Sequence, residues 1–384
     1  MEDPLDQLVA DAYSRRPGEP PLPFDPATAR RTLAVIAARL NEDGARDLNW
    51  WQIPAWVPPL PRIVGSAVTG ALAAGFTAWV TCGLALAVTT GLQRGAAAGI
   101  AEFLPGATLY GILFGLAGGV AGVASGVLEV RSAARPGVTA AGDTPPVIGD
   151  VRLAKALTRD SLRTEFRGGL VAGIICGLTG GVVTGGLAAV AFGLLAGLAY
   201  ALGALLLFGL WSALATAVLL GIRQALMADP GTASSLDPAA SCRGNRQFGQ
   251  LTGVVFGTLF GLTAGVLFGF VGGVQGALAD GLAFGLATAV TSAVTAGIFS
   301  SRCFPVTLAA GWLALHWGTP VRLVRFLSDA CDRNVLRAVD PSYQFRDAQL
   351  QDQFAAAAPI FRDRPAAGAQ PPALKDSRSG SGKI

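Results

Sequence analysis

The sequence predicts an all-α polytopic membrane protein: six transmembrane helices in three Gly-rich hairpins, with a small split cytoplasmic helical module of winged-helix-like form. Three observations carry this. Charged residues make up 14% of the 384, against about 25% in ordinary soluble domains. The charges are segregated: none falls from Ile63 to Leu92 or from Gly168 to Ile222, and Asp280 alone falls between Leu251 and Ser300. Uncharged apolar runs of about 18 residues or more read as spans, and runs of roughly 50 hold two helices and a turn. Lastly, glycine recurs at every fourth position of "GVVFGTLFGLTAGVLFGFVGG", at Gly253, Gly257, Gly261, Gly265, Gly269 and Gly273.

In chain order, residues 1–26 read as a flexible Pro-rich lead ("RRPGEPPLPFDP"). The acidic opening "MEDPLDQLVADAY" lacks the apolar stretch of a secretory signal, so targeting falls to the first span. Residues 27–61 hold a cytoplasmic helix, with Leu33, Ile36, Ala37 and Leu40 on one stripe and a stop at Asn41–Gly44. They also hold an interfacial segment in which Trp50, Trp51 and Trp56 suit the membrane–water boundary. The first hairpin fills 62–130, with helices over 64–88 and 105–128 and Pro105 in the first turn of the second. A basic loop (131–167) leads to the second hairpin, 168–222, divided at 192–195. A loop (223–249) leads to the third, 250–300, with helices over 250–274 and 278–300. The apolar "PVTLAAGWLALHWG" within 301–319 is too short for a span and reads as interfacial. Residues 320–361 read as helix–wing–helix, with Leu323, Phe326, Leu327 and Ala330 on one face and "NVLRAVDPSYQF" as the wing; 362–384 read as a disordered tail.

The loops carry the topology. One set holds Arg62, Arg131, Arg135, Arg152, Lys155, Arg159, Arg163, Arg167, Arg223, Arg243, Arg246 and Arg302; the opposite set holds Arg94, with the acids Glu102 and Asp280. Cytoplasmic loops carry the Lys/Arg excess, which predicts a multi-pass inner-membrane protein with both termini cytoplasmic. Tyr110 and Tyr200 fall near the predicted outer boundary, as an aromatic belt would.

Each glycine costs an isolated helix about 1 kcal/mol relative to alanine. In lipid, close backbone packing and interhelical hydrogen bonds hold helices together, and small residues permit both. The ladder therefore reads as a packing seam. It recurs at Gly173, Gly177, Gly181 and Gly185, and in shorter form at Gly111, Gly115 and Gly119. Three uses stand open: packing within the bundle, a seam with a second copy, and a pore lining. "LRTEFRGGLVAGIICGLTGGV" (162–182) and "CRGNRQFGQLTGVVFGTLFGL" (242–262) place an arginine ahead of each ladder and read as duplicated hairpins.

Chemistry is sparse. An ionisable group inside a span would mark a transport path, but Glu102 and Asp280 read as solvated tip residues, and Thr69, Thr77, Thr81, Thr184, Thr288 and Thr291 as bonded to their own helices. His316, the single histidine, has no Cys/His neighbours at zinc-ligand spacing. The cysteines form no CxxC pair and read as free thiols. "SGSGKI" (379–384) lacks the strand and the Ser/Thr that a phosphate-binding loop requires. No catalytic, cofactor-binding or metal-binding residue is expected, and no cofactor.

"YQFRDAQLQDQFA" (343–355) resembles the segment that ends the winged-helix part of bacterial NACHT-type STAND NTPases, a pattern of aromatic-x-Phe-x-His-x-x-x-Gln-Glu/Asp-x-hydrophobic-Ala. Tyr343, Phe345, Gln351, Asp352, Phe354 and Ala355 match it, and Asp347 stands where histidine is usual. "TLAVIAARLNEDGARDLNWWQIP" (32–54) is similar to the helical stretch ahead of the membrane region in the same proteins, and the Phe/Gly-rich spans resemble their membrane segments. The resemblance implies that 27–56 and 318–357 are halves of one cytoplasmic module with the spans inserted between them. The nucleotide-binding module lies upstream in that family; its P-loop, Mg²⁺-binding acid and sensor residues are not found in this sequence, so ATP hydrolysis is not implied.

The expected function is a non-enzymatic membrane anchor or scaffold, acting through Gly-mediated helix packing and cytoplasmic partner contacts. The alternative is a small-solute channel or transporter. The expected partners are the lipid bilayer, a second copy of the chain and a separate signalling protein; nucleic acid is not expected.

Overall fold

The computed structural model describes residues 4–14, 23–133, 238–271, 273–339 and 342–358, together with part of 170–213. The chain divides into two units, one formed by Met1–Arg46 with Asp347–Ile384 and the other by Asp47–Arg346.

The first unit contains helices Pro4–Ala12 (α1) and Pro26–Glu42 (α2), and the last helix of the chain, Ala348–Ala356 (α9). The lead expected to be flexible thus contains a helix. Its reason is a stripe at four-residue spacing, Leu5, Val9 and Tyr13, all buried. α2 starts where Asp25 accepts the Thr28 N–H at 3.0 Å, with Pro26 in the first turn, so the cap satisfies an amide that the helix leaves unpaired. It stops at Glu42, and Gly44 at φ +63 turns the chain away. Leu33, Ile36, Ala37 and Leu40 are buried, but so are Thr32, Ala34, Val35 and Ala38. α2 is covered on more than one face, partly by α9 and α1.

Among the described residues of the second unit, four helices are long and apolar enough to cross a membrane: Pro59–Arg94 (α3), Ala96–Ala133 (α4), Pro238–Val271 (α5) and Gly273–Ser300 (α6). α3 packs along α4, α5 along α6, and α3 also packs against α6. Between the two pairs lies a core of Ala78, Cys82, Ala85, Phe284 and Ala287, with Phe268 stacked on Phe284 at 4.7 Å.

The helices exceed the expected spans. α3 has 36 residues, about 54 Å at roughly 1.5 Å per residue, so its ends reach beyond a hydrocarbon core. A single residue, Gly95 at φ +95, turns α3 into α4. Pro105 therefore sits inside α4 rather than in its first turn, and Glu102 is on the helix, not in a loop. α5 begins at Pro238, which puts Arg243 and Arg246 on it instead of in the expected loop.

Two expectations about aromatic residues are corrected. Trp50 and Trp51 are buried, in a 3-10 turn (Trp50–Trp56) that packs on the short apolar helix Cys303–Trp317 (α7); Trp56 alone is half-exposed. Tyr110 packs beside Phe284 (5.6 Å between ring centroids) rather than standing in an outer belt. Tyr200 is exposed.

The described residues are mostly helical, as expected, with one small sheet besides. Strands Asp47–Leu48 (β1), Leu336–Val339 (β2) and Ser342–Phe345 (β3) form an antiparallel sheet in the order β1-β3-β2. Leu48 pairs with Tyr343, and Leu336 with Phe345. The hairpin lies where the wing was expected. Helix Leu323–Asp332 (α8) precedes it and buries Leu323, Phe326, Leu327 and Ala330.

Of the six expected spans, the described residues supply these four. The described positions in 170–213 are helical on both sides of Gly193, which has φ +89. The rest of 168–222, the basic loop beyond residue 133 and the tail 362–384 lie outside the described residues.

Candidate helix-packing site

The large apolar side chains of α3 point out and the small ones in. Leu60, Val64, Val68, Leu72, Phe76, Val80, Leu84, Val88 and Leu92, every fourth residue, are exposed, Phe76 by 68%. Ser66, Gly70, Ala74, Ala78 and Cys82 are buried. On α6, Leu278, Leu282, Leu286, Val290 and Val294 form the same outward stripe. In water, such stripes would form an exposed apolar patch far larger than a soluble monomer carries.

The inward stripes meet in a regular register. A Cβ built on Gly253 would lie 2.5 Å from the Ala293 carbonyl oxygen, on Gly257 2.7 Å from that of Ala289, on Gly261 2.8 Å from that of Gly285, and on Gly265 3.0 Å from that of Gly281. Each step moves four residues up one helix and four back down the other, as antiparallel helices at a fixed crossing require. Gly173, Gly177, Gly181 and Gly185 repeat the relation with the carbonyls of Gly209 (2.5 Å), Leu205 (2.7 Å), Ala201 (3.0 Å) and Gly197 (2.9 Å). The two segments read as a repeat therefore share one packing geometry. Gly111 approaches Trp79, and Gly115 the Gly75 Cα.

These distances leave no space for a side chain, which is why glycine is needed there. With no Cβ, the Cα hydrogens point at the opposing carbonyls, a contact worth about 0.5–1 kcal/mol each. Gly269 ends the ladder against Gly281, whose Cβ would lie 3.3 Å from its Cα. Gly273 is the first residue of α6 and not part of α5.

Polar groups are few and mostly satisfied locally. Thr69, Thr77, Thr81 and Thr291 donate to carbonyls one turn back on their own helices. Thr81 also reaches Thr291 Oγ1 across α3 and α6, at 3.3 Å. Arg62, read as a loop cation, is buried and paired with Glu129 of α4 at 2.5 Å. Asp280 accepts from Gln93 at 3.4 Å. His316 donates from Nδ1 to the Trp312 carbonyl (2.9 Å) and stacks on the Trp312 ring. Among the described residues, no group of three or more His, Cys, Asp or Glu side chains is arranged to hold a metal ion.

The motif residues fall in the two units separately. In the second, Tyr343 and Phe345 lie on the buried face of β3. In the first, Asp347 caps α9 by accepting the Gln349 N–H at 3.0 Å, so it does a helix-start task at the position where the resemblance implies histidine. Gln351, 1% exposed, donates to Asn41 Oδ1 (2.7 Å) and to the Ala45 carbonyl (3.1 Å). Asp352 accepts from Asn41 (3.1 Å) and Arg46 (2.9 Å). The bond from Arg46 and that from Asn41 hold its carboxyl below the ordinary carboxylate value. Phe354 is fully buried.

Two contacts escape sequence reading: the Arg62–Glu129 pair, and a contact of 3.1 Å between Cys242 Sγ and Cys303 Sγ. The hairpin register contains the signal for the second, since the glycine–carbonyl steps carried outward bring residue 242 level with 304, the neighbour of Cys303. The spans expected from hydropathy placed the turn too late to show it. Compared with family models, curated proteins and solved structures, the chain finds no match.

Proposed function

We propose that this chain is a non-enzymatic integral membrane anchor or scaffold, with six spans in three Gly-seamed hairpins. It would resemble the membrane part of NACHT-type signalling proteins and serve a separate signalling partner through its polar ends. The observation that carries the reading is the inside-out helix pattern: small residues inward, an unbroken four-residue stripe of Leu, Val and Phe outward on α3. Lipid gives such a stripe a solvent, and it gives the inward glycines their purpose, because close approach replaces the hydrophobic effect as the force between helices. Among the described residues, the hydroxyls of the spans bond mostly within their own helices, which suits a packing role. The Lys/Arg asymmetry of the sequence supports a multi-pass inner-membrane topology with cytoplasmic termini.

The seam glycines of the described hairpins are occupied by partners within the chain, so a second copy would use another face. Crosslinking in native membranes tests the scaffold: a specific adduct with another protein or a second copy is expected, and a strictly solitary chain overturns it. Reporter fusions at residues 1 and 384 test the topology. Reporters on opposite faces of the membrane would refute an even number of spans. Tight, inert proteoliposomes are expected; selective solute flux abolished by Gly261→Leu would replace the scaffold with a channel.

A further inference from the structure

Five cysteines are spread through the chain, and two of them are brought into contact by the return of the third hairpin. Cys242 lies in the first two turns of α5 and Cys303 is the first residue of α7, 61 residues later. Their sulfurs are 3.1 Å apart, both residues are buried, and Cys303 Sγ also lies 3.4 Å from the Cys242 carbonyl oxygen. Two buried thiols at this distance need only a small rotation to reach the roughly 2.05 Å of a sulfur–sulfur bond.

The surroundings make the pair reactive and unequal. The Cys303 N–H donates to Ser301 Oγ at 3.2 Å, at the start of a 15-residue helix whose N-terminal dipole favours negative charge. The hydrogen bond it shares with the Cys242 thiol draws the Cys303 thiol below its ordinary range. Ser301 and the Arg246 guanidinium, one turn along α5 from Cys242, act in the same direction against the effect of burial. A cysteine of this kind is the attacking partner and its neighbour the resolving one. Cys82, by contrast, is buried among apolar side chains of the inter-helix core.

We infer that Cys242 and Cys303 form a peroxide-reactive dithiol, a reversible covalent modification site that staples the start of α7 to the base of the α5–α6 hairpin. The Cys303 thiolate attacks one oxygen of a hydroperoxide, the O–O bond breaks, and Cys303 becomes a sulfenic acid. The Cys242 thiolate then displaces hydroxide from that sulfur. With hydrogen peroxide, two thiols and one peroxide become one disulfide and two waters, and a small dithiol reductant reverses the change. Closing the bond ties α7, and with it the 3-10 turn that packs on α7, to the spans.

The test uses the full chain in native membranes. After hydrogen peroxide treatment and quenching, the protein is denatured and its free thiols are counted with a maleimide–polyethylene glycol reagent; peptide mass spectrometry locates any bond. Expected is the loss of two of the five reactive thiols as one intramolecular Cys242–Cys303 bond, restored by dithiothreitol. Cys242→Ser should instead leave Cys303 as a sulfenic acid that dimedone labels. Five free thiols after peroxide, a bond involving Cys82, Cys176 or Cys331, or equally fast bond formation in chain unfolded before oxidation would each overturn the inference.

Discussion

Gly261 faces Ala289 across the α5–α6 seam so closely that a Cβ on the glycine would stand 2.6 Å from the Ala289 Cβ and 2.8 Å from the Gly285 carbonyl oxygen. Backbone borders both sides of the gap, so an added side chain can be accommodated only by moving a helix. Gly261→Leu is expected to lower the thermal midpoint of the purified protein in detergent by several degrees, as overpacking typically costs about 1–3 kcal/mol. The same change at Gly311, where nothing lies within 4 Å, should be close to neutral. Equal midpoints for the two variants would refute the seam.

Arg62 is 8% exposed and its Nη2 lies 2.5 Å from Glu129 Oε1. Glu129→Ala leaves a buried cation without that carboxylate, which costs about 3–5 kcal/mol where such a pair is broken. Thermal unfolding followed by circular dichroism should show this loss. The double replacement Arg62→Met with Glu129→Leu should recover most of it, because the desolvation penalty disappears with both charges.

Gln351 is the buried polar link between α9 and the end of α2. Gln351→Leu fits a similar volume but leaves the Ala45 carbonyl and Asn41 Oδ1 without that donor, a loss of about 1–3 kcal/mol. Hydrogen exchange should speed up in α9 and in residues 40–46, while amides of α3 and α4 keep their rates. Uniform acceleration across the chain would contradict a local role.

The Asp352 carboxyl is held below the ordinary 3.8 by its bonds from Arg46 and Asn41. A carboxylate with a depressed value contributes its full stabilisation above the unfolded value and loses it as pH falls through the folded one. Pepsin cleavage within α9, measured relative to cleavage elsewhere, should therefore rise between about pH 4 and pH 2. Asp352→Asn should abolish that rise; an unchanged profile would show that the carboxylate does not hold α9.

Much of this architecture is legible from residue type alone. The face of α8 that buries Leu323, Phe326, Leu327 and Ala330 follows from helical spacing, and the glycine ladders follow from a period of four. Helix ends were less legible. Hydropathy locates what lipid would accept, while α3 extends past both ends of the expected span, from Leu60 through to Arg94, because nothing in those turns stops a helix until Gly95. α1 was hidden by a short amphipathic stripe in a proline-rich setting. The burial of Trp50 depends on α7, more than 250 residues away, and no local pattern announces a contact at that separation. The candidate seam is visible as a stripe, but its partners are not, since pairing Gly253 with Ala293 requires knowing where α5 ends and α6 begins. The Cys242–Cys303 contact was lost with that register.

The pairing of Asp47 with Gln344 has a consequence for biosynthesis. Strand β1 leaves the ribosome long before its neighbour does, with 297 positions separating the two. At about 5–20 residues per second, β1 waits roughly 15–60 s for the strand that completes it. Closure of the little sheet is therefore a late event, possible only after the intervening helices have been made. A nascent chain halted anywhere before Ser342 carries β1 as a lone edge, open to whatever else in the cell offers it hydrogen bonds.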